Sequence, residues 1–314
     1  MTHVILLALA PIFFVMALGY WAGRTGRVDN RQVGSLNLLT MSFALPASLF
    51  SAMASAPRSE IIQQSWLFLI LGMTMLLVYA AWYLASRLLL KAGPGDAAMQ
   101  ALTIAFPNLA GVGLPIASAV LGATGMVQVA VVLAAGSILV TPLSLVIVEL
   151  NAGGVSPLSL PRRVFKALFN ALTKPVVLAP VLGILSALVG FQLGDIAQAS
   201  LLLIGHAAAG VALFLTGLVL SSQSFRLDWK VVAATVMADV MRPLFAAGFV
   251  IALSIPWDLA KVAILLATVP SGFFGILFAV NYKLDSGSPG SMVIASTIFS
   301  IITMSSVIWL LFPA

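Results

Sequence analysis

Cysteine is absent from this chain, which removes disulfides and thiolate metal sites at one stroke. Histidine occurs only as His3 and His206, too few for a histidine-based zinc centre. Charge is scarce as well: Asp, Glu, Lys and Arg make up 8% of the 314 residues, against roughly 25% in a soluble domain. A chain with a mean hydropathy of +1.15 has too little polar surface to face water on all sides. The net charge of +6 could point to nucleic acid, but the basic residues are spread singly over short segments and form no patch. No GxSxG, HExxH, P-loop or pair of intramembrane aspartates occurs, so nothing announces an enzyme. With no nucleotide-binding fold, any active transport must draw on an ion gradient. A removable signal peptide would place basic residues before its apolar core. Here Val4 to Ala22 is apolar and Arg24, Arg27 and Arg31 follow it, so this segment is expected to stay as a membrane helix.

What the chain does have is long apolar runs. A spanning helix needs about 20 such residues. Ten runs qualify: 4–23, 34–55, 65–90, 97–121, 125–149, 171–191, 197–220, 229–254, 259–282 and 289–312. The second is interrupted by Asn37, Thr40, Ser42 and Pro46 but remains uncharged. Charge tests the count. With the N-terminus outside, the cytoplasmic segments hold Arg24, Arg27, Arg31, Arg87, Lys91, Arg162, Arg163, Lys166, Lys174, Arg226, Lys230 and Lys283. The opposite side holds Arg58 and Lys261, and Arg242 lies inside a span. Twelve against two is the asymmetry expected when basic residues stay inside. Ten spans with both termini periplasmic follow, in an inner membrane.

The longest polar stretch, 151–170, divides five spans (1–150) from five spans (171–314). Its end, Arg162 to Leu172, reads either as a short basic amphipathic helix on the cytoplasmic surface or as a plain linker. An odd number of spans per half forces the halves to insert with opposite orientation. Leu9-Ala10-Pro11 in the first span answers Leu178-Ala179-Pro180 in the sixth, and Pro107-Asn108 in the fourth answers Pro270-Ser271 in the ninth. The order of these matches suggests an inverted repeat, an architecture common among secondary transporters.

The polar chemistry gathers at the same places. Pro107-Asn108-Leu109-Ala110-Gly111-Val112-Gly113-Leu114-Pro115 lies mid-span, as does Pro270-Ser271-Gly272-Phe273-Phe274-Gly275. Prolines and glycines at this density break helices, and broken backbone is tolerated in a membrane only against protein or a polar cavity. Each break presents a half-helix N-terminus with partial positive charge near the bilayer centre, suited to a small anion. Asn108 and Ser271 stand where side chains can cap the half-helices or touch a substrate. Asp239 and Arg242 lie deep in the eighth span, and an i, i+3 spacing would put them on one helical face, able to pair. Two readings stay open there, a structural ion pair and a site for a coupling proton or sodium ion. His206, Asn37, Thr40, Ser137 and Thr141 are secondary candidates, as path-lining groups or as hydrogen-bonding glue between helices.

The fourth-span motif, with ten spans and a central cytoplasmic segment, resembles the auxin efflux carrier family in its compact bacterial form. The resemblance covers essentially the whole chain. It implies two inverted five-helix repeats, with spans 1, 2, 6 and 7 as a scaffold and spans 3–5 and 8–10 as a moving transport domain. Spans 4 and 9 would cross at their prolines. It also implies anionic substrates, auxin-like acids in plants and malonate or other small carboxylates in bacteria. The long hydrophilic loop of the plant members is absent here, and the third span is uncharged from Trp66 to Ser86. The related bile-acid sodium symporters share the crossover design, which keeps sodium coupling open. The expectation is an all-α membrane protein that transports a small organic anion by alternating access. A sodium-coupled carrier and an uncoupled anion channel are the alternatives. Substrate and lipid bilayer are the expected partners, with no nucleic acid and no bound cofactor beyond a coupling ion; a homodimer is left open.

Overall fold

The structure is a computed structural model that describes residues 2–29, 33–151, 160–191, 193–222 and 226–312. Helices account for nearly all of it, and no strand occurs among the described residues. In chain order they are α1 (Thr2–Arg24), α2 (Val33–Ala54), α3 (Ile61–Leu88), α4 (Pro94–Ala105) and α5 (Leu109–Leu121). Next come α6 (Ala123–Asn151), α7 (Leu160–Leu172), α8 (Pro175–Leu188) and α9 (Asp195–Ser222). The last are α10 (Trp229–Ala252), α11 (Trp257–Thr268), α12 (Phe274–Asn281) and α13 (Gly287–Leu311).

Six of them, α2, α3, α6, α9, α10 and α13, are long and apolar enough to cross a membrane. A seventh crossing arises if Val164–Asn170 and Pro175–Leu188 are one span bent by 70°. The apolar run expected over 4–23 is the single helix α1. The runs expected over 97–121 and 259–282 are not continuous helices: each is cut in two, into α4 and α5 and into α11 and α12. In both, the cut falls where proline and glycine cluster within a few residues, at 107–115 and 270–275. Of the polar stretch 151–170, residues 160–170 belong to α7, while Ala152 to Ser159 lie outside the described residues.

Two packing groups organise the helices. In the first, α1 runs along the Ala207–Ser222 part of α9, and α8 lies on the Leu45–Ala54 part of α2. The α1–α9 contact is so close that a Cβ on Gly217 would sit 1.9 Å from the Met16 carbonyl oxygen. Close backbone approach through small residues is how helices associate where lipid offers no hydrophobic driving force. In the second group, α3 packs on α4 and α6, α4 on α12, and α10 on α11 and α13. The interrupted helices sit at its centre. Residues 97–113 and 262–277, apart from Ile264, are all buried. Lipid-facing surface is left to side chains such as Leu88, Ile251 and Trp309, which are exposed. Irregular backbone is therefore covered by protein, as the cost of unsatisfied peptide groups in hydrocarbon requires.

A candidate site at the helix crossover

Proline sets the local geometry of both breaks. A residue preceding proline is pushed out of the α region. Phe106, before Pro107, has φ −95° and ψ 105°, and Val269, before Pro270, has φ −56° and ψ 133°. Helices α4 and α11 stop there, and the chain runs extended for a few residues. The two extended pieces lie side by side as an isolated antiparallel bridge between Pro107 and Ser271. Asn108 N–H donates to the Pro270 carbonyl at 2.8 Å, and Gly272 N–H donates to the carbonyls of Phe106 at 2.9 Å and Thr103 at 3.1 Å. Each break thus satisfies peptide groups of the other. A Cβ on Gly272 would lie 2.4 Å from the Phe106 carbonyl oxygen, so this crossing admits only glycine.

After the first break the chain resumes as the π turn Leu109–Gly113, which holds Gly111 and Gly113. Asn108 caps that turn: its Oδ1 accepts from Gly111 N–H at 3.1 Å. After the second break the arrangement differs. Ser271 N–H donates to Ser296 Oγ of α13 at 2.8 Å, and Ser296 Oγ donates to Asp239 Oδ1 of α10 at 2.8 Å. One hydroxyl can do both, having a proton to give and lone pairs to accept with. Asp239 Oδ2 and Ser271 Oγ are buried with no hydrogen-bond partner. Buried oxygens of this kind are rare and cluster where a site handles protons, ions or polar ligands.

Arg242 is fully buried and turns to the other ends of the half-helices. Its Nε donates to the Ala267 carbonyl at 2.9 Å, Nη1 to Ile104 and Nη2 to Val269. These carbonyls close the C-terminal ends of α4 and α11, where the helix dipoles leave partial negative charge. The planar guanidinium holds its donors in a rigid, spread fork that meets three separate acceptors, whereas a lysine would offer its three N–H groups from a single point. Arg242 therefore ties both interrupted helices to α10.

The expected pairing of Asp239 with Arg242 is corrected here. The two make no ion pair; Asp239 bonds Ser296 and Arg242 bonds backbone carbonyls. An i, i+3 spacing shares a face only in regular α geometry. Met237–Met241 is a π turn, in which residues three apart are not aligned as in an α-helix, and the two charged groups lie beyond salt-bridge distance.

Of the residues singled out in the sequence, Pro107, Asn108, Gly111, Gly113, Pro270, Ser271, Gly272, Asp239 and Arg242 all belong to this crossover network or to the turns beside it. The secondary candidates do not join it through any described hydrogen bond. Thr40 Oγ1 donates back to the Leu36 carbonyl at 2.8 Å. Ser137 and Thr141 are buried on α6, and His206 is exposed at a turn within α9. Asn37 lines a cavity of about 180 Å³ between α2, the start of α8 and α12, together with Ser42, Lys174, Phe274, Phe278 and Asn281. Ser296 was missed. Its signal was a hydroxyl within an apolar run, the same signal that drew attention to Ser137 and Thr141.

A family model described as a membrane transport protein matches residues 4–308. An uncharacterized transporter of Escherichia coli (strain K12), YfdV, is 26% identical over 299 residues, covering 94% of each chain. A protein of Rhizobium meliloti named "Putative malonate transporter" is 23% identical over 312 residues, 96% of this chain and 94% of that one. An uncharacterized transporter of Methanothermobacter thermautotrophicus is 25% identical over 298 residues, 93% of this chain and 94% of its own.

Proposed function

The chain belongs to the membrane transport protein family, the auxin efflux carriers that its fourth span resembles, and on that premise we propose a secondary active transporter of a small organic anion. The observation that carries this reading is the crossover. Two interrupted helices meet back to back, so the positive ends of α5 and α12 flank one buried spot that also holds Asn108 and Ser271. Discontinuous helices with their N-terminal ends turned to an anionic group are the recurring design of such sites. Asn108, Ser271 and the half-helix amides hold a carboxylate. Asp239 is the group through which a driving ion acts, and Arg242 balances charge.

In this reading the chain makes ten crossings of a bacterial inner membrane, as two inverted five-helix repeats with both termini periplasmic. The α1, α2, α8 and α9 group serves as scaffold, and the group around α4 and α11 moves against it by alternating access. Each group packs more closely within itself than against the other, which supports that division. The cavity with Asn37, Lys174 and Asn281 lies between scaffold and transport helices and offers an approach from the cytoplasmic side. A relative named for malonate favours small carboxylates as the first compounds to try.

The test is thermal unfolding of the purified protein across mono- and dicarboxylates, because a ligand bound to the native state raises apparent stability. The stabilising acid is then used for counterflow in proteoliposomes. Saturable uptake of labelled acid against preloaded unlabelled acid is expected. Linear, non-saturating flux would replace the carrier by a channel, and no stabilisation by any carboxylate would remove the anion reading.

A further inference from the structure

Helix α7 plays no part in the crossover, and its surface has a composition that calls for an occupant. At about 100° per residue, Phe165, Leu168, Phe169 and Leu172 form one stripe, with Arg162 and Lys166 beside it. All six side chains are exposed, Phe165 at 72%. The rings of Phe165 and Phe169 stack with centroids 6.5 Å apart, so the apolar stripe is preformed. Another part of the helix packs on α6, which fixes its position.

The junction with α8 sets its direction. Lys174 is extended at φ −59° and ψ 134°, and Pro175 opens α8 as its first residue. Proline there ends one helix and starts the next. The result is the 70° bend. A segment at that angle to a membrane-crossing helix lies closer to the membrane plane than to its normal. Helix α8 is also short. Its 14 residues rise about 21 Å at ~1.5 Å each, less than a hydrocarbon core of ~30 Å. A helix this short reaches only one edge of that layer, and the exposed Lys174 immediately before Pro175 sets that edge at its start, from which α7 continues along the interface.

We propose that α7 is an interfacial helix that docks on the anionic phospholipids of the cytoplasmic leaflet. Phe165, Leu168, Phe169 and Leu172 enter the acyl boundary, and Arg162 and Lys166 reach lipid phosphates. The pattern of a basic polar face beside an aromatic and leucine face is that of helices lying in the membrane surface. The occupant is lipid because the charge is complementary to an anionic leaflet and because the bend and the exposed Lys174 at the start of α8 bring the helix to that depth. The inference rests on the membrane-carrier reading but not on the substrate: it concerns how the segment joining the two halves is tied to the bilayer.

The cysteine-free chain allows single nitroxide labels on the full protein in proteoliposomes, at Phe165→Cys, Lys166→Cys and Phe169→Cys. Labels at 165 and 169 are expected to collide with oxygen dissolved in the acyl region, and the label at 166 with a water-soluble nickel complex. Nickel accessibility at all three positions would put the helix in water and overturn the proposal. Shielding of all three from both reagents would mean that protein covers it, a second copy included, and would overturn it equally. The second measurement is enrichment of phosphatidylglycerol around the protein in nanodiscs of mixed phosphatidylcholine and phosphatidylglycerol. Arg162→Gln and Lys166→Gln should each lower that enrichment about fivefold, the equivalent of ~1 kcal/mol per basic residue. Equal enrichment in wild type and double variant would contradict the lipid contact.

Discussion

At the first break the repair is local: Asn108 accepts from Gly111 three residues on and closes its own turn. At the second break nothing in the adjacent sequence does this. The Ser271 amide goes to Ser296 on α13, and Ser296 in turn reaches Asp239 on α10. Both breaks lean on the same pair of crossing peptides, yet only the second is wired to distant helices through a carboxylate. It is also the one that leaves Ser271 Oγ and Asp239 Oδ2 without partners. A self-contained break can bind and release a ligand with little consequence elsewhere. A break whose backbone is held by a carboxylate two helices away responds when that carboxylate changes its charge. We read the first break as substrate-holding and the second as the place where the driving ion is felt.

The largest expected effect comes from the residue common to both breaks. Arg242→Gln strips hydrogen bonds from the Ile104, Ala267 and Val269 carbonyls, of which glutamine can restore one. At ~1–3 kcal/mol for each buried group left unmet, the loss is about 4 kcal/mol, read as a lowered unfolding midpoint in detergent. A midpoint within a degree or two of wild type would show that the clasp is not holding the breaks together. Removing Asp239 as well should not restore it, because the groups left unmet are backbone carbonyls that Asp239 does not touch.

Asn108→Ala sharpens the contrast from the other side. Loss of the cap costs ~1 kcal/mol, a small change in midpoint. Transport should nonetheless fall to background, since the proposed site has the same side chain hold the anion. Normal uptake with unchanged apparent affinity would place the substrate elsewhere. The smallest effect on stability belongs to Ser271→Ala. Its hydroxyl has no partner, so removing it should leave stability unchanged or raise it by up to about 1 kcal/mol. Uptake should still weaken. A clear destabilisation would mean that the hydroxyl is bonded in the working protein and that the asymmetry between the breaks is smaller than it looks.

Much of this was legible in the chain. Long apolar runs and loop charge gave the helical membrane class, and proline before Asn108 and before Ser271 located both interruptions, because proline acts on its immediate neighbour. What escaped was everything that depends on long-range register. The link from Ser271 to Ser296 spans 25 residues and that from Ser296 to Asp239 spans 57. A hydroxyl in an apolar run does not say which partner it meets. A direct Asp239–Arg242 salt bridge does not form, and the π turn beside Asp239, invisible in the residue pattern, alters which positions align.

The claim that the second break senses the driving ion is tested most directly with Asp239→Asn in proteoliposomes. The amide keeps an oxygen for Ser296 but cannot carry the charge, so the fold should survive. Exchange of labelled for unlabelled substrate, which needs no net ion movement, is expected to continue. Accumulation driven by an ion gradient is expected to stop. Gradient-driven accumulation at the wild-type level would contradict the account and leave Asp239 as a structural partner of Ser296 alone.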